Sequence, residues 1–190
     1  NVLIGGYFSQ VNGTPRSGIA RVNAADGTVD ATFNPAMSAG AVIFALSEQA
    51  DTMILFGGDF TSVSGFSRNN IARVQADGTI DLGFDPGLGA NSTVRSIALD
   101  SNGQVLIAGD FITVNGTNRS GVARLIIDTD PLPPVITDGT LDPDFVSATT
   151  RHFDPGLGTD GSAFQVLGAA DGKTVVAGDF TTMNGVSRNG

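Results

Sequence analysis

One motif occurs four times in this chain: LIGGYFSQVNGTPRSGIARV from Leu3, LFGGDFTSVSGFSRNNIARV from Leu55, LIAGDFITVNGTNRSGVARL from Leu106 and VVAGDFTTMNGVSRNG from Val175. Set in register on Gly6, Gly58, Gly109 and Gly178, the copies lie 52, 51 and 69 residues apart. No other feature restricts the fold so much. A unit of this length that keeps returning is one supersecondary element that cannot bury its apolar face alone and must stack on its neighbours.

A full unit carries four short β signals, at 97–99, 105–111, 121–125 and 140–145 in the third copy. The second and third signals are separated by Asn12-Gly13, Ser64-Gly65, Asn115-Gly116 or Asn184-Gly185. These dipeptides suit a type I′ turn, whose two central residues both need φ > 0. Asp26-Gly27, Asp77-Gly78 and Asp138-Gly139 turn the chain again before the fourth signal. Four antiparallel strands in a meander, repeated at this period, form a propeller blade. The expectation is an all-β chain of β-propeller blades, about three plus partial ends, forming a segment of a larger propeller. The units fall at 1–40 (a partial blade), 41–91, 92–161 and 162–190 (a second partial blade). Insertions at 126–136 and 146–153 explain the long third interval, and the three prolines of the first make it a protruding loop rather than a strand.

Composition agrees and excludes several functions. Twenty-six glycines, twelve phenylalanines and only one lysine and one glutamate favour strands and tight turns. A net charge of −9 with no basic stripe argues against nucleic acid and anionic membranes, and no apolar run is long enough to span a bilayer. Without cysteine there are no disulfides, thiolate metal sites or cysteine nucleophiles. The chain starts inside a repeat, which suggests an excised piece of a longer polypeptide.

The order LIGGDF, VNG, R, IARL, DG, LD, F resembles the delta-60 repeat, a family of tandem β-propeller repeats in large secreted or surface-attached bacterial proteins. The resemblance covers nearly the whole chain and departs at Tyr7 (for Asp), at Ser64 (for Asn) and in the two insertions. It implies a secreted or cell-surface location, and the family carries no settled enzymatic activity.

The repeated polar residues read as structural. Counting from the Asn-Gly turns places Asp59 diagonal to Arg68, Asp110 to Arg119 and Asp179 to Arg188, which predicts three cross-strand ion pairs. Arg21, Arg73 and Arg124 also recur with the blade. Asp77 with Asp81, and Asp138 with Asp142, offer oxygens for calcium, but too few for the 6 to 8 ligands it takes, and turn capping explains them more simply. No other cofactor is suggested. The phenylalanines at 8, 60, 111 and 180 and at 33, 84 and 145 read as core between blades.

Function belongs where the copies differ. One such column is the first strand of each unit, where Phe44, Arg95 and Phe164 align, followed by Ala45, Ser96 and Gln165. The other is the insertion set, with Asp128, Asp130, Asp144, Arg151 and His152, the only histidine. The first expectation is a non-enzymatic surface or secreted segment that binds a glycan or protein ligand, or adheres. The second is a structural subunit that packs edge to edge into a filament with identical copies, and the third a hydrolase using the insertion carboxylates. Counting strands leaves too few blades to close a ring, so the terminal edges are expected to meet further blades of the same polypeptide or identical copies.

Overall fold

The structure is a computed structural model that describes residues 1–128, 137–143, 145 and 158–188. Unit 1 holds β1 (Val2–Gly5), β2 (Gln10–Val11), β3 (Thr14–Pro15) and β4 (Ile19–Val22). Unit 2 holds β5 (Val42–Glu48), β6 (Ile54–Asp59), β7 (Ser62–Val63), β8 (Phe66–Ser67) and β9 (Ile71–Val74). Unit 3 repeats this with β10 (Val94–Leu99), β11 (Val105–Gly109), β12 (Thr113–Val114), β13 (Thr117–Asn118) and β14 (Val122–Leu125). Unit 4 contributes β15 (Ser162–Gly168), β16 (Thr174–Asp179), β17 (Thr182–Met183) and β18 (Val186–Ser187).

In units 2 and 3 the order β5-β6-β9 or β10-β11-β14 makes a three-stranded antiparallel sheet, and the short strands close a separate hairpin at its end. Turn chemistry dictates that hairpin. Asn12, Ser64, Asn115 and Asn184 have φ of 48°, 50°, 47° and 52°, and each is followed by a glycine with φ > 0, as a type I′ turn requires. In units 1 to 3 the fourth strand is reduced to one bridge each, Val22 to Val29, Val74 to Ile80 and Leu125 to Leu141.

Between hairpin and sheet the register slips by one residue. Ser62 pairs with Ser67 at the tip, whereas Gly57 pairs with Ile71 in the sheet. Asn70 takes up the slip at φ 65°, and Gly18 and Gly121 do so in units 1 and 3 at 71° and 75°. An extra residue of this kind bends a strand and re-aims its side chains.

The core lies between units. One cluster joins Phe33 and Ile19 to Ile43, Phe56 and Val74; a second joins Leu55 and Phe84 to Val94, Ile107 and Leu125; a third joins Leu106 and Val122 to Ala163 and Val166. Phe33, Phe60, Phe84, Phe111 and Phe180 are buried, as expected, while Phe8 and Phe145 are only half-buried. The DPGLG turn at 85–89 clasps the next unit, since the Asn115 amide donates to the Gly89 carbonyl and the Leu88 amide to Asn115 Oδ1.

Candidate functional site

The one-residue slip overturns the expected cross-strand ion pairs. Asp110 bonds Arg95, and Arg119 instead donates Nη1 to the Asn118 carbonyl. Arg68 donates to the Ser67 carbonyl and comes within 3.9 Å of Asp85, and Arg188 donates to the Ser187 carbonyl. Asp59 and Asp179 are exposed and, among the described residues, have no ion-pair partner. Counting outward from the hairpin tip assumed a continuous ladder, and the positive φ at Asn70 and Gly121 breaks it.

The recurrent ion pairs run elsewhere. Arg21 bonds Asp30 at 2.9 Å, Arg73 bonds Asp81 at 2.6 Å and Arg124 bonds Asp142 at 2.7 Å. Each guanidinium also lies over the ring of Phe33, Phe84 or Phe145, at 4.9, 5.1 and 4.8 Å. Arg73 further reaches Asp138 in the turn of the next unit at 2.5 Å, and Arg21 reaches the Ala76 carbonyl in the same way. These latches tie one unit to the next. The signal lay in the sequence, because in units 1 and 2 the D-G-T-x-D segment follows closely on the second arginine and its last aspartate lies nine and eight residues on.

The aspartates considered for calcium therefore serve the protein's own groups. Asp77 Oδ1 accepts from the Thr79 amide and hydroxyl, which holds its carboxyl below the usual range. Asp81 accepts from Arg73 and caps Gly83, Asp138 accepts from Arg73 and the Asp128 amide, and Asp142 accepts from Arg124. Among the described residues no group of three or more acidic or histidine side chains is placed to hold a metal. Asp128 sits beside that turn, while Asp130, Asp144, Arg151 and His152 lie outside the described residues.

The first-strand column is brought together. Pairing of β5 with β6 skips Phe44, pairing of β10 with β11 skips Arg95, and pairing of β15 with β16 skips Phe164, so each of the three is the extra residue of a β-bulge. Bulges occur beside functional sites because they turn a side chain out of the ladder. The glycines opposite make room. A Cβ on Gly58, Gly109 or Gly178 would meet the carbonyl oxygen of Val42, Thr93 or Ser162 at 2.0, 2.1 or 2.2 Å. The motif's glycine is thus a condition of the bulge.

The result is a stack across three blades. The Arg95 guanidinium lies 5.6 Å from the Phe44 ring centre and 5.7 Å from that of Phe164. Its Nε donates to both oxygens of Asp110 at 2.9 Å and its Nη2 to Oδ2 at 2.6 Å. This bond is the main reason the Asp110 carboxyl is held below its usual range and the Arg95 guanidinium above its own, with the Ser162 side chain helping the carboxylate. Phe44 and Phe164 remain 50% and 51% exposed. Asp110 also borders a cleft of about 210 Å³ walled by Ile112, Ser120, Asp160 and Ser162. Ser96, next in the column, is structural: its Oγ accepts the Val166 amide from the adjacent blade.

Comparison with known proteins agrees with the repeat architecture. No curated protein and no solved structure matches the chain. A profile described as a domain of unknown function (DUF5122) beta-propeller matches residues 1–33, 49–84, 101–125 and 169–190. Those segments carry the hairpins, the long strands on either side of them and the arginines of the latches, whereas the first strands of units 2 to 4, with Phe44, Arg95 and Phe164, fall between them. With more than half of its residues matched, the chain belongs to the DUF5122 β-propeller family.

Proposed function

We propose that this segment is a non-enzymatic binding module of a larger propeller, acting outside or on the surface of the cell, with its ligand held on the face formed by Phe44, Arg95 and Phe164. The observation that carries the reading is the bulge repeated in three blades: one scaffold device delivers phenyl, guanidinium and phenyl side by side and partly exposed, outside the segments that the family profile matches. Exposed rings with a charge-neutralised arginine suit adhesion or recognition of a glycan or protein, since aromatic and arginine side chains contribute most to such contacts. The surface location and the finer assignment to the delta-60 repeats rest on the motif resemblance. The test is retention of the purified segment on glycan and peptide arrays, compared with the Phe44→Ala/Phe164→Ala variant. Ligands that lose the variant map the face, whereas identical retention of both proteins on every ligand would remove it as the site.

A second reading, assembly through further blades or identical copies, is favoured by β16. Val175 is 55% exposed, although Leu55 and Leu106 at the same register are fully buried against the unit that follows each of them. Among the described residues β16 also pairs only with β15, where β6 and β11 each carry a third strand, and an open edge beside an apolar face recruits another strand. Light scattering and electron microscopy check it: Val175→Lys should abolish any self-association of the wild type, and association unchanged in that variant would exclude this edge.

A further inference from the structure

Resting on the binding reading above, we propose that the ligand of the Phe44–Arg95–Phe164 face is a basic peptide segment whose guanidinium groups seat on the open faces of Phe44 and Phe164, with their charge met by Asp59 and Asp179. Unit 3 already contains this chemistry in finished form. There the chain's own guanidinium, on Arg95, lies against phenyl rings and bonds the Asp110 carboxylate. Units 2 and 4 present a ring and a carboxylate at the matching positions but, among the described residues, no cation of their own bonded to that carboxylate. Asp59, across β5 from Val42, and Asp179, across β15 from Ser162, occupy the register that Asp110 holds opposite Thr93. Both are exposed, and among the described residues neither is ion-paired.

Two half-sites of phenyl and carboxylate therefore flank one completed site. An aromatic face attracts a cation through the ring quadrupole, and guanidinium, planar and weakly hydrated, stacks better than ammonium. The chain's charge of −9 adds a long-range attraction for a basic partner and repels acidic ones. An arginine-bearing strand matches all three properties.

The probe is a hexa-arginine peptide, titrated against the segment by fluorescence anisotropy at low and moderate salt, with hexa-lysine and hexa-glutamate alongside. Hexa-arginine should bind more tightly than hexa-lysine, hexa-glutamate should not bind, and added salt should weaken the complex. Replacing both rings with alanine should cost about tenfold in affinity, given cation–π contributions of about 0.5 to 1 kcal/mol per exposed ring, and Asp59→Asn/Asp179→Asn should cost a similar factor. Phe44→Leu/Phe164→Leu keeps apolar bulk without a π face and should lose the same affinity, and unchanged melting curves would certify that each variant is folded. Full binding by the leucine variant would overturn the guanidinium seat. Equal binding by every variant would show that the negative field holds the peptide elsewhere, and no binding to the wild type at low salt would also overturn the proposal. A neutral glycan that binds through Phe44 and Phe164, with hexa-arginine ignored, would overturn the inference and leave the binding reading standing.

Discussion

Arg73 ties two units of the fold together. It is almost wholly buried, bonds Asp81 and Asp138, lies over Phe84 and reaches Gln49. Truncating it leaves two carboxylates near the interior without their cation, so Arg73→Ala should destabilise the segment by about 3 to 5 kcal/mol in urea unfolding. Asp110→Ala should behave differently. Its pair with Arg95 is 24% and 36% exposed, and pairs in such surroundings contribute about 1 kcal/mol or less. A small melting shift combined with altered ligand binding would place the pair in recognition, and a shift as large as that of Arg73→Ala would place it in the scaffold. Acid titrates a third set. Asp30 and Asp160 are lowered from 3.8 to about 2, chiefly by hydrogen bonds from Thr32 and Thr181. A depressed carboxylate contributes stability that is fully present above 3.8 and lost as pH falls through about 2. The gap in urea midpoint between wild type and Asp160→Asn should therefore be open at pH 5 and close toward pH 2, and a gap independent of pH would show that the carboxylate charge is not its source.

Among the elements, the bulge and the glycine opposite it act as one part. Gly109→Ala would force a Cβ to within 2.1 Å of the Thr93 carbonyl, a backbone atom with no rotamer to change. The variant should lose about 1 to 3 kcal/mol, as overpacked sites do, and should also disturb the Phe44–Arg95–Phe164 stack. Gly13→Ala meets nothing within 4 Å and bears only the strain of its positive φ, 76°. Equal costs at the two positions, measured by thermal melting, would mean that the bulge relaxes easily. The hairpin tips were readable from the Asn-Gly and Ser-Gly dipeptides, whereas the one-residue slip behind them was not. In unit 2 a non-glycine residue, Asn70, adopts the left-handed conformation, stabilised by its side chain accepting from the Phe60 amide and donating to the Ala90 carbonyl.

Across the whole molecule, stability belongs to the interfaces between units. Phe84 comes from unit 2 yet packs in the cluster with Val94, Ile107 and Leu125 of unit 3, and Gly139 of unit 3 lies against its ring. Phe84→Ala should cost about 3 to 5 kcal/mol and lower the unfolding of both units together, as nearest-neighbour coupling in repeat architectures demands. Hydrogen exchange resolved by segment checks this: protection lost in β9 alone, with β11 and β14 unchanged, would contradict the coupling.

The sequence by itself determined the repeat, the all-β blades, the type I′ turns and the burial of five of the seven recurrent phenylalanines, because period, Gly placement and apolar alternation act locally and leave their mark in residue order. It also singled out Phe44, Arg95 and Phe164 as the column where the copies diverge. Which acid meets which arginine was decided only in three dimensions. A single left-handed residue shifts the ladder by one, and one step in a strand turns a side chain to the opposite face, so Asp110 leaves Arg119 for Arg95, and Arg73 reaches forward to Asp138 in the next blade. The stacking of Arg95 between rings from two other blades is likewise a property of how blades pack, since residues 44, 95 and 164 become neighbours only after three sheets are laid face to face.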